Sequence, residues 1–389
     1  MSEMKPSVRA SQSAWTSNRE RAVEPPSVNP VLSEQLRLSA HPLNAIRLAL
    51  AVTVIIGHNS PISGFCCEPL ITPVLGSGGA AVGAFFALSG LLVTMSAMRS
   101  QAEDYLLARV RRIFPAFILV LTVTAFILAP LIHFLTNGTM AGFSWLGVNG
   151  PVAYVVGNLT LSVETHHSIN KVFDGTTPFV GMNSSIWTLA IEFRAYLLAL
   201  LIVMIGKRLG LTRSSVFALL ITFSWLLLFR LSPALARAVL PDYLAPLYMP
   251  NIFIFLCGSV LATVAHRIKI THAVGLAAIV ILYAALQIGD PLFVPIGLGT
   301  LVIVLPYLAS LVPARPFRWF ANDLSYGTYL WGFPVGQTLA FVGLNSLGLF
   351  PFALLTVICT LPFAALSWFL VERRFLKRHA PAKVAVVKG

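Results

Sequence analysis

Charge is scarce in this chain. Asp, Glu, Lys and Arg make up 11% of its 389 residues, whereas a soluble domain carries roughly 25%. That shortage, beside a hydrophobic content of 57%, excludes a soluble enzyme, a disordered chain and a collagen-like one. Cysteine is scarce as well. Four cysteines, two of them adjacent at Cys66 and Cys67, make neither a disulfide nor a zinc framework, and neighbouring cysteines rarely bridge each other. His166 and His167 read as part of a solvated loop, so no metal site is expected. The Gly76-Ser77-Gly78-Gly79 run lacks the Gly-Lys-Ser/Thr ending of a phosphate-binding loop. Acidic residues are outnumbered, 14 against 27 basic ones, which gives a net charge of +13 and a pI near 10.0.

What the chain has instead is long apolar stretches and a mean hydropathy of +0.82. Each stretch approaches the roughly 20 residues that a membrane-crossing helix needs. They lie at 43–60, 79–98, 113–132, 185–206, 214–229, 247–265, 273–288, 292–311, 324–344 and 350–371. The expected fold is therefore an all-α integral membrane protein of about ten transmembrane helices. Residues 151–163 are apolar but too short to cross, and read as interfacial or re-entrant. Residues 1–42 hold five prolines, mixed charges and no apolar period, and read as a disordered cytoplasmic tail without a signal peptide. The domain proper spans 43–376, and 377–389 form a basic cytoplasmic tail.

The basic residues report orientation. With the amino terminus in the cytoplasm, 22 of the Lys and Arg residues fall in inner segments. Only Lys171, Arg230 and Arg237 fall in outer loops. This bias satisfies the positive-inside rule with an even number of spans and both termini cytoplasmic. The positive charge is thus a topology signal, and nucleic acid is not an expected partner.

Within the ten stretches only four residues are ionisable: Arg47, His58, Glu192 and Arg194. Such groups cost about 2.5–3.5 kcal/mol each at the bilayer centre on insertion scales, and mark functional sites by default. Arg47 and His58 are eleven residues apart, about 20° from three full helical turns, so both lie on one face about 16 Å apart along the axis. Arg47 near the inner end suits an anionic group. His58, nearer the outer end, suits proton transfer. Glu192 and Tyr196 are i,i+4 neighbours, and Glu192 falls at about the depth of His58, where a carboxylate can support an imidazole. Arg47 snorkelling to headgroups, and Glu192 pairing with Arg47 or Arg194 as structural glue, are the competing readings.

These residues fall into a known pattern, and the chain resembles the membrane-bound acyltransferase-3 family over residues 43–376. Arg47 to His58 resembles its Arg-x10-His signature. Phe85-Phe86-Ala87-Leu88-Ser89-Gly90 is similar to its Phe-Phe-x-x-Ser-Gly segment, and Arg109-Val110-Arg111-Arg112 to its Arg-x-x-Arg loop. Trp187 to Glu192 resembles Trp-x-Leu-x-x-Glu, and Ser325 to Leu330 the late Ser-Tyr-x-x-Tyr-Leu segment. Two departures stand out. Gly332 occupies the position where many members carry histidine, and Ala195-Tyr196 stands where members often have Phe-Tyr.

The resemblance implies an integral-membrane O-acyltransferase of envelope or exported carbohydrate, in the cell inner membrane. It implies acyl-CoA, acetyl-CoA by default, as donor substrate, with no bound cofactor. Arg47, Arg109, Arg111 and Arg112 would bind the donor, His58 would act as general base assisted by Glu192, and Trp187, Tyr196, Ser89 and Tyr329 would line the pocket. The partners implied are membrane lipid and a carbohydrate or glycolipid acceptor; nothing in the sequence sets an oligomeric state. Two alternatives are a transporter or flippase of a lipid-linked sugar, for which no internal repeat is evident, and an intramembrane protease using Ser89, for which the surrounding pattern is wrong.

Overall fold

The computed structural model describes residues 30–64, 70–72, 75–161, 168–175, 177–178, 181–239, 245–313 and 320–376. Cys66, Cys67, His166, His167, the first 29 residues and the basic tail at 377–389 lie outside them. The described chain is almost entirely helical, with one short antiparallel ribbon of β1 (Leu70–Thr72) and β2 (Leu75–Gly76). Each of the ten apolar stretches is a helix or a broken helix. Seven are long and apolar enough to cross a membrane: Ala40–Ser63, Ser77–Arg99, Ala102–Asn137, Ser184–Leu209, Leu211–Leu231, Phe293–Leu311 and Leu349–Leu376. The other three helices, Tyr248–Val264, His272–Ile288 and Ser325–Phe341, are shorter.

The ordered fold begins earlier than the composition suggests. Helix α1 (Leu32–Leu38) lies inside the stretch read as a disordered tail, and α2 (Ala40–Ser63) starts before residue 43. Leu32, Leu36 and Leu43 are buried, and Leu32 and Ser33 donate backbone hydrogen bonds to the carbonyls of Ile268 and Ala265. Backbone bonds to a distant turn and packing against the helix Leu301–Leu311 outweigh the polar, proline-bearing composition around them. Helix α2 ends at Gly64, whose φ of 75° is the left-handed C-cap that glycine adopts freely.

Helix α3 (Ser77–Arg99) is the central element, with buried residues on most of its faces. Helix α4 (Ala102–Val123) continues through a π-helical turn, Thr124–Leu128, into α5 (Ala129–Asn137). That 36-residue run is about 54 Å long, well beyond the ~30 Å hydrocarbon core. Arg109, Arg111 and Arg112 are therefore helical residues rather than loop residues. Glu103 and Asp104 in the first turn favour this early start, because acidic groups complement the positive helix amino terminus. Helix α6 (Pro151–Leu159) has nine residues, too few to span.

Helices α7 (Trp187–Leu209), α8 (Leu211–Leu231) and α9 (Pro233–Val239) follow. Next come α10 (Ala245–Val264), α11 (His272–Ile288), and α12 (Phe293–Gly299) broken at Thr300 from α13 (Leu301–Leu311). Helix α14 (Ser325–Phe341) precedes α15 (Leu349–Ser367), which runs through a second π-helical turn, Trp368–Glu372, into α16 (Arg373–Leu376). The tightest crossing is α3 on α10. A Cβ at Gly90 would lie 1.9 Å from the Phe255 carbonyl oxygen, and one at Gly258 would lie 2.5 Å from that of Ala87. Gly90 of the Phe-Phe-x-x-Ser-Gly segment thus lets two backbones touch, the usual device of membrane helix pairs.

Candidate active site

Three adjoining cavities run along α2 and α3. The first, about 780 Å³, is lined by Arg99, Arg109, Arg111, Arg112, Arg47 and Tyr196, among others. The second, about 50 Å³, shares Arg47, Phe85 and Ser89 with the first and adds Glu192, Thr188 and Tyr326. The third, about 680 Å³, shares Val82 and Tyr329 with the second and has His58 and Trp187 in its wall. The helix face carrying Arg47 and His58 therefore looks onto opposite ends of one series of spaces.

At the basic end, a carboxylate that sequence reasoning missed organises the arginines. Asp323 lies two residues ahead of α14. One of its oxygens takes Arg47 Nη1 at 2.8 Å and Arg112 Nη2 at 2.7 Å. Its other oxygen accepts from the Ser325 backbone amide at 3.2 Å and from the Ser325 hydroxyl. Burial alone would push this carboxyl up; the two guanidinium groups and the Ser325 bonds outweigh it and hold Asp323 at about 2. Arg112 also faces Glu372 at 3.9 Å and lies over the Tyr326 ring at 5.4 Å. Glu372 is 2% exposed and accepts from the Ser367 hydroxyl at 2.9 Å. Arg47 and Arg112 thus belong to a cluster of two positive and two negative groups drawn from α2, α4, the turn before α14 and the π-helical turn after α15.

Arg109 is held differently. Its guanidinium sits 5.6 Å from the centroids of both Tyr105 and Tyr196, a geometry that favours a cation. Tyr105 donates to the Tyr196 carbonyl at 2.8 Å. The buried Arg109 Nε has no hydrogen-bond partner among the described residues. Arg111 lines the same cavity.

In the middle, Tyr196 donates its hydroxyl to Glu192 Oε1, while Arg194 points away and donates to the Leu161 carbonyl at 3.2 Å. The start of α7 is fixed against α14. Asn183 accepts from the Ser185 amide and donates to the Leu330 carbonyl at 3.0 Å. Tyr329 donates to the Ser185 carbonyl at 2.8 Å and meets Thr188 Oγ1 at 2.5 Å. The Trp187 to Glu192 segment and the Ser325 to Leu330 segment therefore form one hydrogen-bonded unit, with Tyr329 at the junction of the second and third cavities.

At the far end, His58 Nδ1 lies 3.0 Å from the Val54 carbonyl oxygen, and the ring meets Phe333 edge-on at 5.4 Å. A carbonyl only accepts, so Nδ1 carries a hydrogen, and in the neutral ring Nε2 is the nitrogen left to take a proton. His58 and Glu192 line neighbouring cavities rather than the same one. Gly332 also has a structural reason. A Cβ there would stand 2.5 Å from Ile55 Cγ1, so α14 approaches α2 too closely for the histidine that many members carry.

A family model described as an acyltransferase domain matches residues 41–371. The chain belongs to the acyltransferase-3 family. Among curated relatives, it is 27% identical over 352 residues to the O-acetyl transferase of Shigella phage Sf6, covering 86% of this chain and 96% of that protein. It is 28% identical over 363 residues to Nodulation protein 10 of Rhizobium leguminosarum bv. viciae, covering 85% and 92%. No solved structure matches the chain. As a member of this acyltransferase family with seven helices among the described residues long and apolar enough to cross a membrane, it is a multi-pass membrane enzyme that transfers acyl groups. Arg47, His58, Ser89, Arg109, Trp187, Glu192 and Tyr329, one or more from each of the five segments set out above, are among the residues that line the three cavities.

Proposed function

We propose that the protein moves an acetyl group from cytoplasmic acetyl-CoA to a hydroxyl of an envelope or exported carbohydrate. The observation that carries this reading is the order of the three cavities: guanidinium groups at one end, a narrow passage beside Glu192, and a basic imidazole nitrogen at the other. The bundle has ten crossings on this reading, with both termini in the cytoplasm, so the arginine-lined cavity faces the donor.

Guanidinium groups suit the phosphates of coenzyme A. Arg99, Arg109 and Arg111 meet them, while Arg47 and Arg112, anchored on Asp323, supply fixed positive charge deeper in the wall. The pantetheine arm passes Ser89 and Tyr196 and brings the thioester past Tyr329. His58 Nε2 then takes the proton from the acceptor hydroxyl as its oxygen attacks the thioester carbonyl. The tetrahedral intermediate collapses, the carbon–sulfur bond breaks, and the imidazolium returns the proton to the departing sulfur. Free coenzyme A and an O-acetyl ester result. Glu192, one cavity inward, stabilises the transient imidazolium through its negative charge. Tyr196 fixes where that charge sits.

The test compares envelope and exported glycans by mass in cells making the wild-type chain, His58→Ala or Glu192→Gln. The wild type adds one acetyl unit and His58→Ala adds none. Equal acetylation by a correctly folded His58→Ala protein overturns the mechanism.

A further inference from the structure

The third cavity holds more than the mechanism uses. At about 680 Å³ it is far larger than an acetyl group, and it lies beyond the narrow passage from the donor's cavity. It falls in the size range of small-molecule sites, which combine apolar walls with a few placed polar groups. Its described lining contains Trp187, Trp225, Phe229, four prolines and aliphatic side chains, and polar side chains only from His58, Asn251 and Tyr329 besides the indoles. None of the described lining residues is Asp, Glu, Lys or Arg. The charged residues nearest in sequence, Arg230 beside Phe229 and Asp290 beside Pro291, neutralise each other in an ion pair at 2.5 Å.

Trp225 supplies a second, independent observation. It is 7% exposed, stacks on Phe229 at 5.3 Å, and its buried indole N–H has no hydrogen-bond partner among the described residues. A buried donor left unpaired is costly. An apolar tail would leave it so, whereas a sugar hydroxyl satisfies it. Flat indole faces meanwhile suit the apolar C–H faces of a sugar ring.

We propose that this cavity is the acceptor subsite, that it takes an uncharged sugar, and that Trp225 is a specificity-determining residue that donates its indole N–H to a sugar hydroxyl. The inference rests on the acetyl-transfer reading and narrows its acceptor. An acidic sugar entering here would bury a carboxylate with no Lys or Arg among the described walls; its one cationic partner there would be a protonated His58, which could no longer act as the base, and this disfavours it.

The test uses the purified full-length protein in detergent, with maltotriose as neutral probe and trigalacturonate as acidic probe of similar size. Tryptophan fluorescence reports binding, and acetyl-CoA binding is measured separately. Maltotriose binds at least about 10-fold more tightly than trigalacturonate. Trp225→Phe keeps an aromatic face, though a smaller one, and loses the donor, weakening maltotriose by about 3–10-fold and leaving acetyl-CoA binding unchanged. Trigalacturonate binding as tightly as maltotriose, or Trp225→Phe binding maltotriose normally, overturns the inference. Acetyl-CoA binding without either trisaccharide also overturns it and spares the donor reading. A protein that binds maltotriose but not acetyl-CoA sinks the donor reading instead.

Discussion

Replacing Asp323 with asparagine removes the one carboxylate that Arg47 and Arg112 share. The side chain keeps its shape and can still accept from Ser325, so the perturbation is electrostatic. Two consequences follow. First, both guanidinium groups, 27% and 17% exposed, lose their shared anion; because both are partly exposed and Arg112 keeps Glu372 at 3.9 Å, the cost falls below the ~3–5 kcal/mol of a fully buried pair, at about 2 kcal/mol. Second, a pH dependence disappears. The carboxyl is held at about 2 in the folded protein against an ordinary value of 3.8. A group whose folded value is depressed stabilises the fold fully above its unfolded value, and that contribution is lost as pH falls through the folded value. The difference is worth about 2 kcal/mol. Thermal unfolding in detergent is therefore insensitive to this group above about pH 5 and loses stability between about pH 4 and 2. Asp323→Asn starts lower and lacks that segment of the acid loss, and subtraction of the two curves separates Asp323 from Glu372. An Asp323→Asn protein as stable as the wild type, with an unchanged acid profile, refutes the shared-carboxylate account.

Further outcomes follow from the same geometry. Arg109→Lys removes a planar guanidinium from between Tyr105 and Tyr196 and raises KM for acetyl-CoA several-fold with little change in melting temperature, measured by donor titration; an unchanged KM removes Arg109 from the donor site. Tyr196→Phe deletes the hydroxyl that fixes Glu192 and lowers kcat more than it raises KM; the reverse split assigns Tyr196 to binding. Gly332→His drives a ring into Ile55 and destabilises the protein by about 1–3 kcal/mol; an equally stable variant shows that α2 and α14 are not in close contact. Gly90→Val forces α3 off α10 and abolishes the folded protein, read as loss of the monodisperse peak in size-exclusion chromatography.

Much of this was legible in the sequence because the bilayer imposes simple rules. Long apolar stretches had to become helices, since no other open element satisfies its backbone in lipid. Arg47, His58 and Glu192 stood out because an ionisable residue amid apolar neighbours is rare. Asp323 did not. It lies just ahead of a helix, where an acidic residue reads as an ordinary cap, and only the folded chain brings two distant arginines onto it. Glu372 was hidden for the same reason, at the edge of an apolar stretch beside a basic run. Trp225 sits in an unbroken apolar segment and looks like a lipid-facing residue until α8 packs beside α10. The order in residues 32–42 was masked by proline and charge, because α1 packs against α13 and is tied by its backbone to the turn after α10, both far away in sequence. The early start of α4 carried the same lesson: composition marks where a helix enters lipid, and its true start depends on the polar turn before it.

The central claim is that His58 Nε2 takes the acceptor proton during transfer from acetyl-CoA. Its most direct test is transfer of a radiolabelled acetyl group from acetyl-CoA to a neutral oligosaccharide by purified wild-type and His58→Ala proteins, under donor and acceptor saturation. The account predicts ester-linked label on the sugar with the wild type and a rate lower by about 10²–10⁴-fold with His58→Ala, at unchanged acetyl-CoA affinity. Equal rates from the two proteins would contradict it.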